Sequence, residues 1–136
     1  LRVSGSERVA VASSYIDDVN QRLVRFLDQN QIQAVCAYGL GVNDVTAMSK
    51  ISTQELVDLC LKTWDIAQEQ APGQAQGLLL SCGGLVSLEA VRQVEDKLGV
   101  TVVSSSPAGF WDLVATAGLD LFPQGMGRLA QERQTA

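Results

Sequence analysis

The run Ser81-Cys82-Gly83-Gly84 joins a thiol to a permissive backbone. It follows the apolar stretch Gly77-Leu78-Leu79-Leu80 and precedes a helical pattern that opens at Ser87. A short apolar run bounded by turn residues reads as a buried strand. Cys82 is therefore predicted at the carboxyl end of a strand, the edge of an open α/β sheet where ligands bind. Gly83 and Gly84 let a ligand approach the backbone closely and can leave N–H groups aimed at an anion. The helix that follows brings a partial positive charge at its N-terminus, and such surroundings favour thiolate over thiol. The alternative is a small buried hydrophobe, the usual condition of a free cysteine. The motif alone leaves both readings open.

Tyr15 is the second candidate. It follows the first predicted strand at the same edge as Cys82, where a phenol can donate a hydrogen bond to an oxyanion. An aromatic ring shielding the sheet end is the competing reading. Ser104-Ser105-Ser106 ends a later strand at that edge. Ser106 is explained as a helix cap, and nothing singles out Ser104 or Ser105 as lining a site. Gly39-Leu40-Gly41 is a weak hint of nucleotide binding, since isolated glycines usually serve turns. Neither G-x-x-x-x-G-K-[ST] nor a G-x-G-x-x-G after a strand is present. Lys50, Lys62 and Lys97 fall on solvent-facing patterns, and the carboxylates cluster on helix faces and starts. Histidine is absent, which removes Ser-His-Asp and Cys-His catalysis within this chain and most zinc sites. No metal site and no cofactor is expected.

The 136 residues suffice for one domain with a core. With 46% apolar and 18% charged residues the composition is that of a soluble globular chain. A net charge of -5 and the scatter of ten basic residues argue against nucleic acid as a partner. No apolar run approaches the roughly 20 residues of a membrane helix. The first residues lack the apolar centre of a signal peptide, and there is no initiator methionine, as in a fragment or a processed form. Cys36, Cys60 and Cys82 are far apart and odd in number, which fits a reducing, cytoplasmic setting better than a disulfide framework.

Four strand-helix repeats position these residues. Arg8 to Ser13 is a strand, followed by a helix from Asp17 to near Asn30 with Ile16, Val19, Leu23, Phe26 and Leu27 on its apolar face. Ile32 to Tyr38 is the second strand, with Cys36 in the core. A loop from Gly39 to Asp44 leads to a short turn or helix carrying Val45 and Met48. Ser52 and Glu55 form a capping box for a helix whose buried stripe includes Cys60 and Trp64. Ala71 to Gln76 is a loop, and Gly77 to Cys82 the third strand. Ser87 caps a helix that Gly99 ends. Val100 to Ser104 is the fourth strand. Ser106 as N-cap and Pro107 as first residue begin a helix over 107–117 that stops at Gly118. Pro123, Gly125 and Gly127 predict an irregular or frayed tail over 119–136. The repeat predicts a single α/β lobe over 1–118, a four-stranded parallel sheet with right-handed crossovers and helices on both faces.

Three stretches carry a family resemblance: Leu80-Ser81-Cys82-Gly83-Gly84-Leu85, Val102-Val103-Ser104-Ser105-Ser106-Pro107-Ala108-Gly109-Phe110-Trp111-Asp112, and Tyr15-Ile16-Asp17-Asp18-Val19-Asn20. Together with Val94-Glu95 and Leu98-Gly99-Val100 they closely resemble the arylmalonate decarboxylases, within the aspartate/glutamate racemase superfamily that also holds maleate isomerases and hydantoin racemases. The resemblance implies a cofactor-free enzyme of two similar Rossmann-like lobes with a cleft between them. It implies that Cys82 is the thiol that protonates an enediolate left by loss of CO2 from a disubstituted malonate. Tyr15 and the Gly83 N–H match members of the dioxyanion hole. Val45, Met48 and Gly84 match positions lining the substrate pockets. The chain matches only the second lobe, which implies either a missing N-terminal lobe or a homodimer that mimics two lobes. The last helix packs towards the first lobe in such enzymes, so Phe110 and Trp111 are expected to lack cover. Alternatives are a racemase or isomerase lobe completed by a partner, and a silent lobe that only self-associates.

Overall fold

Val9, Ala10, Val11 and Ala12 are all fully buried, so the strand they form has no solvent face. That strand, β1 (Arg8–Ser13), lies inside a parallel sheet. The structure is a computed structural model, and it describes residues 1–119, 122 and 125–131. After β1 come α1 (Asp17–Gln29), β2 (Gln33–Gly39), α2 (Val45–Met48), α3 (Thr53–Gln70), β3 (Gly77–Ser81) and α4 (Leu88–Leu98). The chain continues with β4 (Thr101–Ser104), α5 (Ser105–Thr116) and α6 (Arg128–Gln131). The strand order is β2-β1-β3-β4, every pairing is parallel, and Ser13 registers against Ser81.

This order makes the sheet doubly wound. The connection from β1 to β2 runs towards one edge of the sheet, while those from β2 to β3 and from β3 to β4 run towards the other. With right-handed crossovers the intervening helices must fall on opposite faces. They do. Ala10, Ala12, Leu78, Leu80 and Val102 face α3 and α4 through Leu56, Cys60, Val91 and Val94. Val9, Val11, Leu79 and Val103 face the other way, towards Leu23, Leu27, Trp111 and Leu129. Leu56, Leu78 and Leu80 are fully buried, and each such side chain contributes about 1.5–3 kcal/mol relative to exposure. The expected architecture, four parallel strands with helices on both faces, is the one found.

Local signals explain most element ends. The Ser52 hydroxyl accepts from the Glu55 N–H, while the Glu55 carboxylate accepts from the Ser52 N–H at 2.9 Å, completing the capping box of α3. Gly99 ends α4 with φ 71°, a left-handed conformation that glycine adopts without a Cβ penalty. Ser87 is the N-cap residue of α4, but its hydroxyl makes no cap bond and pairs instead with Ser104 Oγ at 2.6 Å.

Four expectations change. The helix predicted over 107–117 spans Ser105–Thr116, so Ser104 and not Ser106 is its N-cap residue. Pro107 falls at the third helical position, where its missing N–H has no intrahelical acceptor to lose. Within the tail expected to be irregular or frayed over 119–136, Arg128–Gln131 forms α6, with Leu129 and Ala130 buried. Its anchor is distant in sequence: the buried Glu95 carboxylate accepts from the Arg128 N–H at 2.8 Å and from the Val102 N–H at 2.9 Å. Pro123 and residues 120, 121, 124 and 132–136 of that tail lie outside the described residues. Finally, Phe26, expected on the apolar face of α1, is 60% exposed, at the rim of an open groove it shares with Leu1, Leu79, Val103 and Ala108. Leu23 and Leu27 already fill the space between α1 and the sheet. Phe110 is exposed, as expected, whereas Trp111 is half-buried and stacks on Phe122.

Candidate active site at the carboxyl edge of the sheet

The winding direction reverses between β1 and β3. In open α/β sheets ligands bind outside the carboxyl ends of the strands at such a reversal. The residues leaving those two ends are Ser14-Tyr15 from β1 and Cys82-Gly83-Gly84 from β3. Because Ser13 and Ser81 are in register, the two candidates of the sequence emerge side by side.

Cys82 turns its side chain to the face covered by α3 and α4 and is 5% exposed. Its sulfur has two polar neighbours. The Gly84 N–H donates to Sγ at 3.4 Å, and Sγ lies in donor geometry 3.7 Å from Met48 Sδ. Gly84 packs against both: a Cβ there would sit 3.7 Å from Cys82 Sγ and 3.8 Å from Met48 Cβ. The turn is held from behind by α5. The Cys82 N–H donates to Ser105 Oγ at 3.2 Å, and the Ser106 hydroxyl donates to the Gly83 carbonyl at 3.3 Å. The first turn of a helix therefore clamps the backbone on both sides of Gly83. Helix α4 opens only at Leu88, so the amide on the sulfur comes from Gly84 and not from a helix end.

Tyr15 is half-buried and packs against the same side of the core as Cys82. Its backbone is fixed at both ends. The Tyr15 N–H donates to Ser13 Oγ at 3.1 Å, and its carbonyl accepts from the Gly41 N–H at 3.1 Å. The Ser13 hydroxyl in turn donates to Asn20 Oδ1 at 2.6 Å. Gly39 closes this arrangement, because a Cβ there would overlap the Tyr15 carbonyl and lie 2.5 Å from Asn20 Nδ2. The Gly39-Leu40-Gly41 segment thus seats Tyr15.

Of the remaining candidates, Met48 is half-buried against Cys82, and Gly83 and Gly84 are exposed at the turn. Val45 lies one helical turn from Met48 on α2 and is 73% exposed, so the structure does not bring it into contact with the thiol. Two further residues at this edge carry no distinguishing signal in the sequence. Ser105 is the acceptor for the Cys82 N–H, and only the fold distinguishes it from its serine neighbours. Ser14 is fully buried with an unpartnered hydroxyl, one residue beyond the Ser13–Ser81 pair. A serine after a strand carries no signal for that.

The other two thiols belong to the core. Burial pushes Cys60 up to about 12, and burial likewise raises Cys36, whose S–H donates to the Thr63 carbonyl at 3.4 Å. Among the described residues no group of three or more Cys, Asp or Glu side chains is arranged to hold a metal. A hollow of about 570 Å³ lies between α4 and the 125–131 segment, lined by Arg92, Glu95, Met126 and Arg128, and includes none of the site residues. No helix among the described residues is long and apolar enough to cross a membrane.

The family model "Arylmalonate decarboxylase" matches residues 1–130. The arylmalonate decarboxylase of Bordetella bronchiseptica is 47% identical over 133 residues, covering 97% of this chain and 53% of that protein. A solved structure of unliganded arylmalonate decarboxylase superposes with a TM-score of 0.86 at 47% identity, over 97% of this chain and 56% of the other. The maleate cis-trans isomerase of Nocardia farcinica shares the fold, with a TM-score of 0.85 at 22% identity over all of this chain and 53% of that one. The chain spans about half the length of the curated relatives it matches. With a family model covering nearly its whole length, the chain belongs to the arylmalonate decarboxylase family.

Proposed function

We propose that this chain is the thiol-bearing lobe of a cofactor-independent decarboxylase of arylmalonate-type substrates. A disubstituted malonate dianion loses one carboxylate as CO2, and the bonding pair stays on the remaining fragment as an enediolate. The Cys82 S–H passes its proton to the α-carbon, giving a chiral monocarboxylate and a Cys82 thiolate. Solvent then returns a proton to the sulfur. Tyr15 and the Gly83 N–H donate to the enediolate oxygens, where charge has developed. Met48 and Gly84 line the substrate pocket, with Val45 at its outer rim. Apolar surroundings assist the first step by disfavouring the ionised group that departs. The three unpaired cysteines fit a reducing compartment such as the cytoplasm.

The observation that carries this reading is the placement of Cys82 at the β1/β3 reversal, with an exposed double-glycine turn beside it. A cleft needs a second wall. Ile16, Leu40, Val45 and Val86 are exposed around this edge, and a preceding lobe or a second copy of the chain would cover them.

The test is CO2 release and product chirality with phenylmalonate-type substrates, for this chain and for Cys82→Ala. Each is assayed alone and with a separately produced first lobe. Turnover that disappears in Cys82→Ala supports the proposal. A chain that turns nothing over under either condition, while the thiol is intact, sinks it in favour of a silent lobe.

A further inference from the structure

Beyond its place in the pocket, we infer that Met48 is a positioning residue for the thiol proton of Cys82, acting through its sulfur and not through its bulk. This inference rests on the proton-donor reading of Cys82. A thiol has one proton and can accept hydrogen bonds on the same atom. Here the two roles are filled by different neighbours. The Gly84 N–H approaches the sulfur as a donor at 3.4 Å, so the S–H is directed elsewhere. The acceptor in line is Met48 Sδ, 3.7 Å away on a helix 34 residues earlier in the chain. No other acceptor is paired with the Cys82 S–H among the described residues. The backbone carbonyls of the turn pair with other donors: Gly83 O receives the Ser106 hydroxyl and Cys82 O receives the Leu85 N–H.

The choice of a thioether matters. A carbonyl or carboxylate would hold the proton strongly and compete with the substrate carbon. A thioether is a weak acceptor, so it orients the S–H while releasing it at small cost. After transfer, the sulfur no longer donates to Met48, but the Gly84 N–H still points at the thiolate and now makes a charge-assisted bond. Met48 serves the protonated state and Gly84 the deprotonated one. Leucine would fill the same space without the first of these functions.

Uniform replacement of methionine by norleucine removes the acceptor at nearly constant volume, and selenomethionine restores a chalcogen. The chain has two methionines, and the second, Met126, lines the separate hollow beside Glu95. The readout is the S–H stretching band of Cys82, obtained as the Raman difference between each protein and its Cys82→Ala counterpart. We expect the band to move to higher wavenumber with norleucine and to stay near the native position with selenomethionine. Mass-resolved alkylation of Cys82 at fixed neutral pH should be about two- to five-fold faster with norleucine, the size of one weak hydrogen bond. An unchanged Raman band overturns the inference, as does an alkylation change that differs between a small and a large reagent and so reports access alone. A shifted band in a protein that shows no turnover either alone or with the first lobe keeps the thiol contact and overturns the decarboxylase reading instead.

Discussion

Glu95 carries the anchoring of the C-terminal segment, and its removal has a calculable cost. The side chain is 3% exposed and accepts from two backbone N–H groups, Val102 at 2.9 Å and Arg128 at 2.8 Å. Gly127 packs so closely that a Cβ there would lie 2.8 Å from Glu95 Oε2. In Glu95→Ala the Val102 N–H, on a residue that is 2% exposed, is left without an acceptor, at about 1–3 kcal/mol. The Arg128 N–H is half-buried and can turn to water, so its loss costs about 1 kcal/mol. The variant should be less stable by about 2–4 kcal/mol at neutral pH. Glu95→Gln keeps one acceptor oxygen and should lose about half of that.

The pH dependence separates the carboxylate from its shape. Burial raises the Glu95 carboxyl above its ordinary range, against the smaller opposing effect of its two N–H bonds. Between the ordinary value near ~4.3 and the raised one, the folded state binds more protons than the unfolded state. Stability from this group is therefore complete below that window and declines as pH rises through it. Glu95→Gln lacks the decline, so its deficit against the native protein should be largest at acid pH and shrink towards neutrality. Urea titrations followed by Trp64 and Trp111 fluorescence from pH 4 to 8 measure both effects. A Glu95→Ala chain within about 0.5 kcal/mol of the native one, well inside the ~1 kcal/mol typical of point changes, would refute the anchoring argument. Equal pH slopes for the native and Glu95→Gln chains would refute the ionisation argument.

Gly39→Ala drives a methyl group into the Tyr15 carbonyl, so it should destabilise the fold by about 1–3 kcal/mol in thermal melts and displace the Tyr15 segment. Wild-type behaviour would mean that the segment yields freely and does not seat Tyr15. Ser105→Ala removes the acceptor for the Cys82 N–H, a loss of about 1 kcal/mol in denaturant titration, with a larger effect on turnover than on stability. An unchanged rate would show that the turn holds its geometry without α5. Ser52→Ala breaks the capping box and should cost about 1 kcal/mol in the same titration while leaving turnover unaltered.

The doubly wound sheet was legible because its signals are local. Gly77 to Leu80 is bounded by turn residues on both sides, and Ser52 with Glu55 or Gly99 after Leu98 mark helix ends within a few residues. The start of α5 was not. Ser104, Ser105 and Ser106 are chemically equivalent caps, and Pro107 is tolerated throughout a first turn, so the sequence offers three registers. The Ser87–Ser104 hydroxyl pair, the Cys82–Ser105 bond and the Ser106–Gly83 bond choose among them, over 17, 23 and 23 residues. Helix α6 was invisible for the same reason: Gly125 and Gly127 read as breakers, while its support comes from a carboxylate 33 residues away. Cys82 was found because glycines follow it. The acceptor at its sulfur was not found, because proximity of Met48 to Cys82 is a property of the winding and not of either neighbourhood.

The inner position of β1 also sets the order in which the molecule can be built. Its first neighbour, β2, leaves the ribosome soon after it, but the other neighbour begins only at Gly77, 64 residues beyond the end of β1 at Ser13 (77 − 13). At roughly 5–20 residues per second, one apolar edge of β1 waits about 3–13 s for its partner. An unpaired edge of Val-Ala-Val-Ala character is a template for pairing with other chains. Refolding in dilute solution should accordingly be limited by closure of the β1–β3 pair, a slow non-local event, and grow less efficient with protein concentration. Ser14-Tyr15 and Cys82 are made at different times, so the thiol meets its neighbours across the sheet only when that closure is complete.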